Sequence, residues 1–194
     1  MNFPNPMKTF HNSRYNNIDI SKLSEQEIKN LAVLLLKKIA KRYDPKKGMG
    51  VELFNAIAKL KVTMTPEAVC LRHNSQNDKI EVYLILRSLA DTAYPGQWHL
   101  PGSAMRPGEE IDDVFLRLET KEIGLKILSK KFAFHFNEPQ EARGHFFSLI
   151  YLCALSEGEG LGKWFFVDNL PQNIIARDRD KVIPVAVKTF LSFS

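Results

Sequence analysis

The sequence predicts an α/β/α sandwich built on a mixed sheet, preceded by an N-terminal arm and a helical hairpin. Three observations lead there. After residue 62, short runs rich in β-branched and apolar residues alternate with helical patterns. Those runs follow the order βββαβββα with no internal repeat, which places mixed strands between helices. Before residue 62 the apolar residues fall at helical spacing, and two such helices are too small to enclose a core alone. The expected division is an arm and hairpin over 1–61 and a sandwich domain over 62–194.

Each element has a local reason. Residues 1–20 are polar and Asn-rich, with Pro4 and Pro6, and read as an irregular arm. Ser24-Glu25-Gln26-Glu27 is a capping box. Ile28, Leu31, Leu35 and Ile39 follow on one stripe, and Asp44-Pro45 closes the helix. A loop holding Lys46-Lys47-Gly48 leads to a second helix over 51–60, with Leu53, Phe54 and Ile57 inward. Segments 67–72 and 80–86 read as strands joined by a polar turn over 73–79. A turn-rich stretch over 91–96 precedes a short strand at 97–100. Pro101-Gly102 opens a loop that runs through Pro107-Gly108. A helix over 112–123 follows and stops at Gly124. Strands over 131–136, 145–155 and 164–167 come next. A last helix over 179–191, bent or delayed by Pro184, completes the order.

Composition narrows the class. Of 194 residues, 44% are apolar and 25% charged, which fits a globular chain and excludes a disordered or collagen-like one. The run from Leu31 to Leu36 is ended by Lys37-Lys38, well short of the ~18 apolar residues of a membrane span. Residues 1–10 carry no apolar core and no small-residue cleavage site, so no targeting segment is expected. Cys70 and Cys153 both sit in apolar runs. Two such cysteines exclude a disulfide framework and a thiolate zinc cluster, and they fit a reducing, cytoplasmic setting. Charge is uneven: residues 1–62 carry 12 Lys and Arg against 5 Asp and Glu, and the remainder 15 against 17. The basic excess reads first as a solvated helix face, with an anionic partner as the other reading.

The stretch from Pro101 to Leu125 carries the chemistry. Glu109 and Arg117 lie eight apart, one in the loop and one in the helix, a spacing that can pin loop to helix. Gly102 and Gly108 let the backbone approach a ligand closely. Leu118, Lys121 and Glu122 are expected on one helix face by their i, i+3, i+4 spacing. A carboxylate beside a free carbonyl is hard-oxygen ligation of the kind Mg²⁺ takes when it bridges phosphates.

Trp98-His-Leu-Pro-Gly-Ser-Ala-Met-Arg-Pro-Gly-Glu109, then Arg117, then Glu122-Ile-Gly-Leu125, resembles the Nudix box, G-x5-E-x7-R-E-U-x-E-E-x-G-U with U aliphatic. Leu84-Ile-Leu-Arg87 and Tyr94-Pro-Gly-Gln-Trp98 resemble the strand and entry before that box. Lys163-Trp164-Phe165 and Asp168-Asn-Leu-Pro171 resemble the Trp-containing strand ahead of the family's last helix. The resemblance runs from about Val62 to the C-terminus and leaves the hairpin outside. Four box positions depart from it: Ser103 stands for Gly, Leu118 and Lys121 for Glu, and Glu119 for the aliphatic residue. Arg117-Leu118 followed by Glu122-Ile-Gly-Leu125 is similar to the box of GDP-mannose mannosyl hydrolases, which keep one Mg²⁺ and cleave at the sugar carbon. The Arg of that branch falls near Ala104 here, and Glu157-Gly-Glu159-Gly replaces its Gln-His pair.

The resemblance implies Mg²⁺-dependent hydrolysis of a nucleoside diphosphate linked to another moiety, through a reduced metal site. Its alternatives are cleavage of a nucleotide-sugar at the sugar carbon, and nucleotide binding without turnover. Glu122 is the expected metal ligand, with the Gly102 carbonyl beside it, for a single Mg²⁺ or Mn²⁺ held weakly without substrate. Glu122, Glu157 and Glu159 are the expected catalytic carboxylates, and Arg87 and Lys121 the expected contacts to substrate. Glu109, Arg117 and Gly124 are expected to be structural. Among the histidines, His99, His135 and His145 read as satisfied side chains sooner than as bases. The expected ligand is a nucleotide or nucleotide-sugar, and a homodimer is one arrangement that would bury the hairpin's apolar stripe.

Overall fold

The computed structural model describes residues 19–192, so the expected arm lies almost wholly outside the described residues. The chain divides into two compact units, Met1–Asp44 and Pro45–Ser194. In the first, α1 spans Glu25–Ala40. Ser24 opens it through a reciprocal capping box: the Glu27 N–H donates to Ser24 Oγ at 3.4 Å, and the Ser24 N–H donates to Glu27 Oε2 at 2.8 Å.

The second unit starts with α2, Val51–Ala58. This helix was expected to pair with α1 in one N-terminal piece, but it belongs to the sandwich unit. Ala58 is fully buried, and the Phe54 ring meets Phe146 edge-on at 6.5 Å, so its apolar face is spent on the sheet. Six strands follow: β1 (Val62–His73), β2 (Ile80–Leu86), β3 (Trp98–His99), β4 (Ile127–Glu141), β5 (Gly144–Leu155) and β6 (Lys163–Phe166). Their order is β3-β2-β1-β5-β4, with β6 paired to β2. β1 and β5 run parallel over 62–70, and the other pairs are antiparallel. The sheet is mixed, as the sequence predicts.

Two helices cover the two faces. α3 (Ile111–Leu118) packs Val114, Phe115 and Leu118 onto Ala68, Cys70, Tyr83 and Cys153. α4 (Ile183–Leu191) packs Ile183 and Ala186 onto Val69, Leu71, Val82, Leu84 and Ile150. Alternation along β1 serves both layers, with even positions toward α3 and odd ones toward α4. Cys70 and Cys153 are buried free thiols in register across β1 and β5.

β4 is much longer than the expected segment 131–136, whereas β5 matches the expected 145–155 to within one residue. β4 is the edge strand of its sheet. Pro139, which would break an interior strand, falls there beside a register shift between Glu138 and Glu141.

One irregularity positions the site. Leu71 pairs with Val82, and that register would set Ala68 opposite Ile85. Instead Ile85 pairs with His99, and the Ala68 N–H donates to the Pro101 carbonyl at 2.8 Å. The chain from β3 into the next loop is therefore wedged between β1 and β2. The Ser103 N–H donates to Pro66 O at 3.2 Å, and the Met105 N–H to Met64 O at 2.9 Å. Pro66 has no N–H to return, which leaves the loop only half laddered to β1.

Candidate functional site

The wedged loop is locked before it reaches α3. Arg117 donates from Nε to Glu109 Oε1 at 3.0 Å and from Nη2 to Glu109 Oε2 at 2.8 Å, a two-bond fork with both side chains about nine-tenths buried. The same guanidinium reaches Ser103 Oγ and the Ala104 carbonyl. Glu109 also accepts the Arg106 N–H at 2.8 Å, and Arg106 Nη1 donates to the Pro45 and Lys46 carbonyls at 2.6 and 3.2 Å. Arg117 and Glu109 thus hold the loop by their own charges and are spent in doing so. Ser103, which stands where the box pattern has Gly, supplies one acceptor of that clamp.

Beyond Leu118 the helix widens. Glu119–Ile123 forms one π-type turn, closed by the Gly124 N–H donating to the Glu119 carbonyl at 3.0 Å. Gly124 ends it with φ 75°, a left-handed conformation that favours glycine. The wider turn breaks the expected face of Leu118, Lys121 and Glu122. Leu118 and Ile123, five apart, are both fully buried in the α3 core. Lys121 is exposed, and the charges that act on Glu122 are those of Arg117 and Arg87. Glu119 turns its carboxylate to the Ile127 N–H at 2.9 Å, which answers a strand terminus instead of filling an apolar position.

Glu122 is mostly buried and accepts no hydrogen bond from a described residue. Burial pushes its carboxyl up to about 7, against the opposing pull of Arg117 and then Arg87. It is therefore a near-neutral acid set beside two guanidinium groups.

Arg87 sits at the end of β2. Its Nη1 donates to Asp91 Oδ2 at 2.8 Å, its guanidinium lies 5.8 Å from the Tyr94 ring centre, and its buried Nε has no hydrogen-bond partner among the described residues. Asp91 accepts the Ala93 and Tyr94 N–H groups at 2.9 Å each. Those bonds and Arg87 outweigh burial and hold it down at about 2. His99 is buried nearby. Burial first, and then the charge of Arg87, drives its imidazole down to about 3, so it stays neutral.

Glu157 and Glu159 are both exposed, in the loop after β5. That loop is tied to the π-turn by the Leu161 N–H donating to the Ile123 carbonyl at 2.8 Å, and by Tyr83, whose hydroxyl donates to Ile123 O and accepts the Gly162 N–H. No hydrogen bond or ion pair joins either carboxylate to Glu122 among the described residues. His135 stacks on Phe147, and His145 meets Asn137 Oδ1 at 2.7 Å.

A second cluster escaped the sequence reading. Arg177 donates to both oxygens of Glu67 at 2.7 and 2.9 Å, to Ser148 Oγ at 2.8 Å and to Asp178 at 2.9 Å, and its Nε lies 3.0 Å from Glu138. Asp178 accepts the Leu100 N–H at 3.0 Å. Burial raises Asp178 to about 6, with Glu67 adding to the rise and Arg177 opposing it. Burial alone would lower Arg177, but Glu67 and Asp178 hold it well above its usual value. Gly102 lies against this cluster: a side chain there would stand 2.6 Å from Glu67 Cγ. Glu67 and Gly102 face each other as a bridge whose ladder bonds are made by their neighbours, so the Gly102 carbonyl takes no bond from a described residue. The signal was present in the sequence. Glu67 interrupts an apolar strand, and Arg177-Asp178 follows the apolar run Ile174-Ile175-Ala176.

These residues can be tested against the divalent metal that the box resemblance implies. Among the described residues no group of three or more His, Cys, Asp or Glu is placed to hold a metal ion. Glu122 offers one carboxylate, flanked by the charges of Arg117 and Arg87. Mg²⁺ is commonly held by one or two carboxylates with water and substrate phosphates, so Glu122 and the open Gly102 carbonyl would hold such an ion only weakly without substrate. A shallow groove of about 220 Å³ between α3 and the start of β4 holds none of the expected catalytic or binding residues.

No protein-family model and no curated protein matches the sequence. Solved structures match its fold. The NUDIX domain of Shewanella oneidensis NrtR, crystallised with ADP ribose, superposes with a TM-score of 0.57 at 19% identity, over 79% of this chain and 97% of that one. A MutT/nudix family protein from Enterococcus faecalis gives 0.55 at 20% identity, over 88% and 75%. A MutT NUDIX hydrolase from Burkholderia pseudomallei gives 0.52 at 20% identity, over 65% and 97%. Likeness at such identities speaks for the fold. Among the described residues no helix is long and apolar enough to cross a membrane.

Proposed function

On the premise that the chain has the Nudix fold, we propose that it binds a nucleoside-diphosphate ligand as a recognition module, without a resident divalent metal. The observation that carries this reading is the fate of the three helix positions that bear carboxylates in the family pattern. Leu118 is in the core, Lys121 points to solvent, and Glu122 is a near-neutral acid beside Arg87 and Arg117. Arg117 and Arg87 are paired with Glu109 and Asp91, so the surround offers a metal a single carboxyl and leaves an anion the open donor of Arg87. Arg87, at the end of β2 with a buried Nε that has no hydrogen-bond partner among the described residues, supports contact to phosphate oxygens. The ADP ribose held by the NrtR NUDIX domain makes that compound the first probe.

The test is calorimetric titration with ADP ribose, ADP and GDP-mannose, in EDTA and then in Mg²⁺, with product assayed in parallel. Binding should persist in EDTA within about threefold of its Mg²⁺ value, and Arg87→Ala should weaken it by about tenfold or more. Binding that requires Mg²⁺, or no binding of any probe, would refute the reading.

One observation favours a second reading. A carboxyl held at about 7 is poised as a general base at neutral pH. A hydrolase of this kind would attack a diphosphate or sugar carbon with Glu122 taking the proton of water. Its signature is turnover that rises through about pH 7 and disappears in Glu122→Gln. Separate detection of phosphate and free sugar distinguishes the two bonds.

A further inference from the structure

Helix α1 presents an apolar stripe that no described residue buries. Ile28, Leu31, Ala32, Leu35 and Ile39 recur at three- and four-residue spacing, yet none of the 16 residues of α1 is buried. Leu35 is 48% exposed, and Ile28 and Ile39 are about as open. A stripe of this kind on a helix about 24 Å long is a docking surface.

The charges around the stripe select its occupant. Glu25 and Glu27 stand in the first turn, and Lys37 and Lys38 in the last. Lys41 and Arg42 follow directly. Two copies side by side in parallel would set acid against acid at one end and base against base at the other. Antiparallel copies reverse this. Glu27 and Lys38 lie eleven residues apart, close to three turns, and so flank the stripe on the same side. Across a two-fold axis through the middle of the helix, that side meets itself, so Glu27 of one copy faces Lys38 of the other, twice. The helix dipoles oppose in the same arrangement. We infer that α1 is a self-association helix, pairing antiparallel with a second copy of this chain through Leu31, Leu35 and Ile39, with reciprocal Glu27–Lys38 contacts at its rim.

The pair is small. Two four-turn helices offer less than the ~1,200 Å² of a stable complex. The dimer is therefore weak, with a dissociation constant on the order of tens of micromolar.

Sedimentation velocity of the full chain, from about 5 to about 500 μM, reads the association directly. The wild type should pass from monomer to dimer across that range. Leu35→Glu, at an exposed position, should stay monomeric with unchanged circular dichroism. Lys38→Glu sets like charges together across the axis and should weaken association about tenfold. Adding Glu27→Gln to Lys38→Glu, which keeps the capping oxygen and removes the like charge, should bring it back to within about threefold of the wild type. A wild type that is monomeric throughout overturns the inference, whether its Leu35→Glu variant melts lower (the stripe covered by its own chain) or loses binding to phosphatidylserine vesicles (a membrane partner). Association that ignores Leu35, that strengthens on Lys38→Glu, or that the added Glu27→Gln fails to restore overturns it as well.

Discussion

Replacing Glu122 by Gln should make the protein more stable above neutral pH and leave it unchanged in acid. The Glu122 carboxyl titrates at about 7 in the fold, against 4.5 as its ordinary value, and burial is the main cause. A raised folded value means the native state holds a proton that the unfolded chain has released. Below pH 4.5 both states are protonated and the group contributes nothing. Between 4.5 and about 7 the unfolded state loses its proton first, so stability falls as pH rises. Above about 7 the full penalty stands, at about 3 kcal/mol as an upper figure. Gln keeps the shape and removes the charge. The difference between variant and wild type should be near zero at pH 4 and should grow to about 3 kcal/mol by pH 8. For a chain of this size that is a rise in melting temperature of about 6–10 °C. Urea unfolding at pH 4, 6 and 8 measures it. A difference that stays flat with pH would refute the burial argument. A Gln variant less stable at pH 8 would mean that Glu122 is held as an anion by Arg87 or Arg117.

Further outcomes follow from the same geometry. Arg177→Met leaves Glu67, Asp178 and Glu138 buried without their cation, and should cost about 3–5 kcal/mol in urea unfolding at pH 7.5. The loss should shrink below about pH 6, where Asp178 is protonated. Leu118→Glu puts a charge into the α3 core and should cost several kcal/mol, whereas Lys121→Glu on the surface should change unfolding by about 0.5 kcal/mol or less. Magnesium at about 10 mM without nucleotide should move the melting temperature by less than about 1 °C, because no acidic cluster among the described residues waits to be neutralised.

The layers and the box loop were legible in the sequence for a shared reason: local pattern determines them. Capping residues, apolar periodicity and turn glycines act over a few positions, and Glu109 and Arg117 meet across only eight. Three features were not legible. The length of β4 depends on its edge position, where Pro139 is tolerated, and edge position is a property of the assembled sheet. The placement of α2 with the sandwich depends on Phe146, more than ninety residues away in sequence. The Arg177 cluster joins residues 110 apart, and its cost is met only when all its members are present. Glu67 alone in a strand signals a buried charge but does not say what answers it.

The expected face of Leu118, Lys121 and Glu122 belongs to an unbroken α-helix over 112–123. In such a helix Leu118 and Glu122, four apart, would share a stripe, and Ile123 would turn toward the rim. The sequence does not allow both. Val114, Phe115 and Leu118 commit the helix to the core, and Ile123 is the next residue apolar enough to follow them. A five-residue step from Leu118 to Ile123 is served by a π-type turn, which brings residues five apart nearly into line. The same step brings Glu122 into line with Arg117, five residues earlier, whose guanidinium is already fixed by Glu109. The Glu122 carboxyl thus ends beside a cation that is fully engaged, buried enough to hold its proton near neutrality and without a second carboxylate to share a metal. One widened turn accounts for the packed Leu118, the solvated Lys121 and the isolated acid together. It makes the chemistry at this end of the helix a matter of charge and proton balance at Glu122.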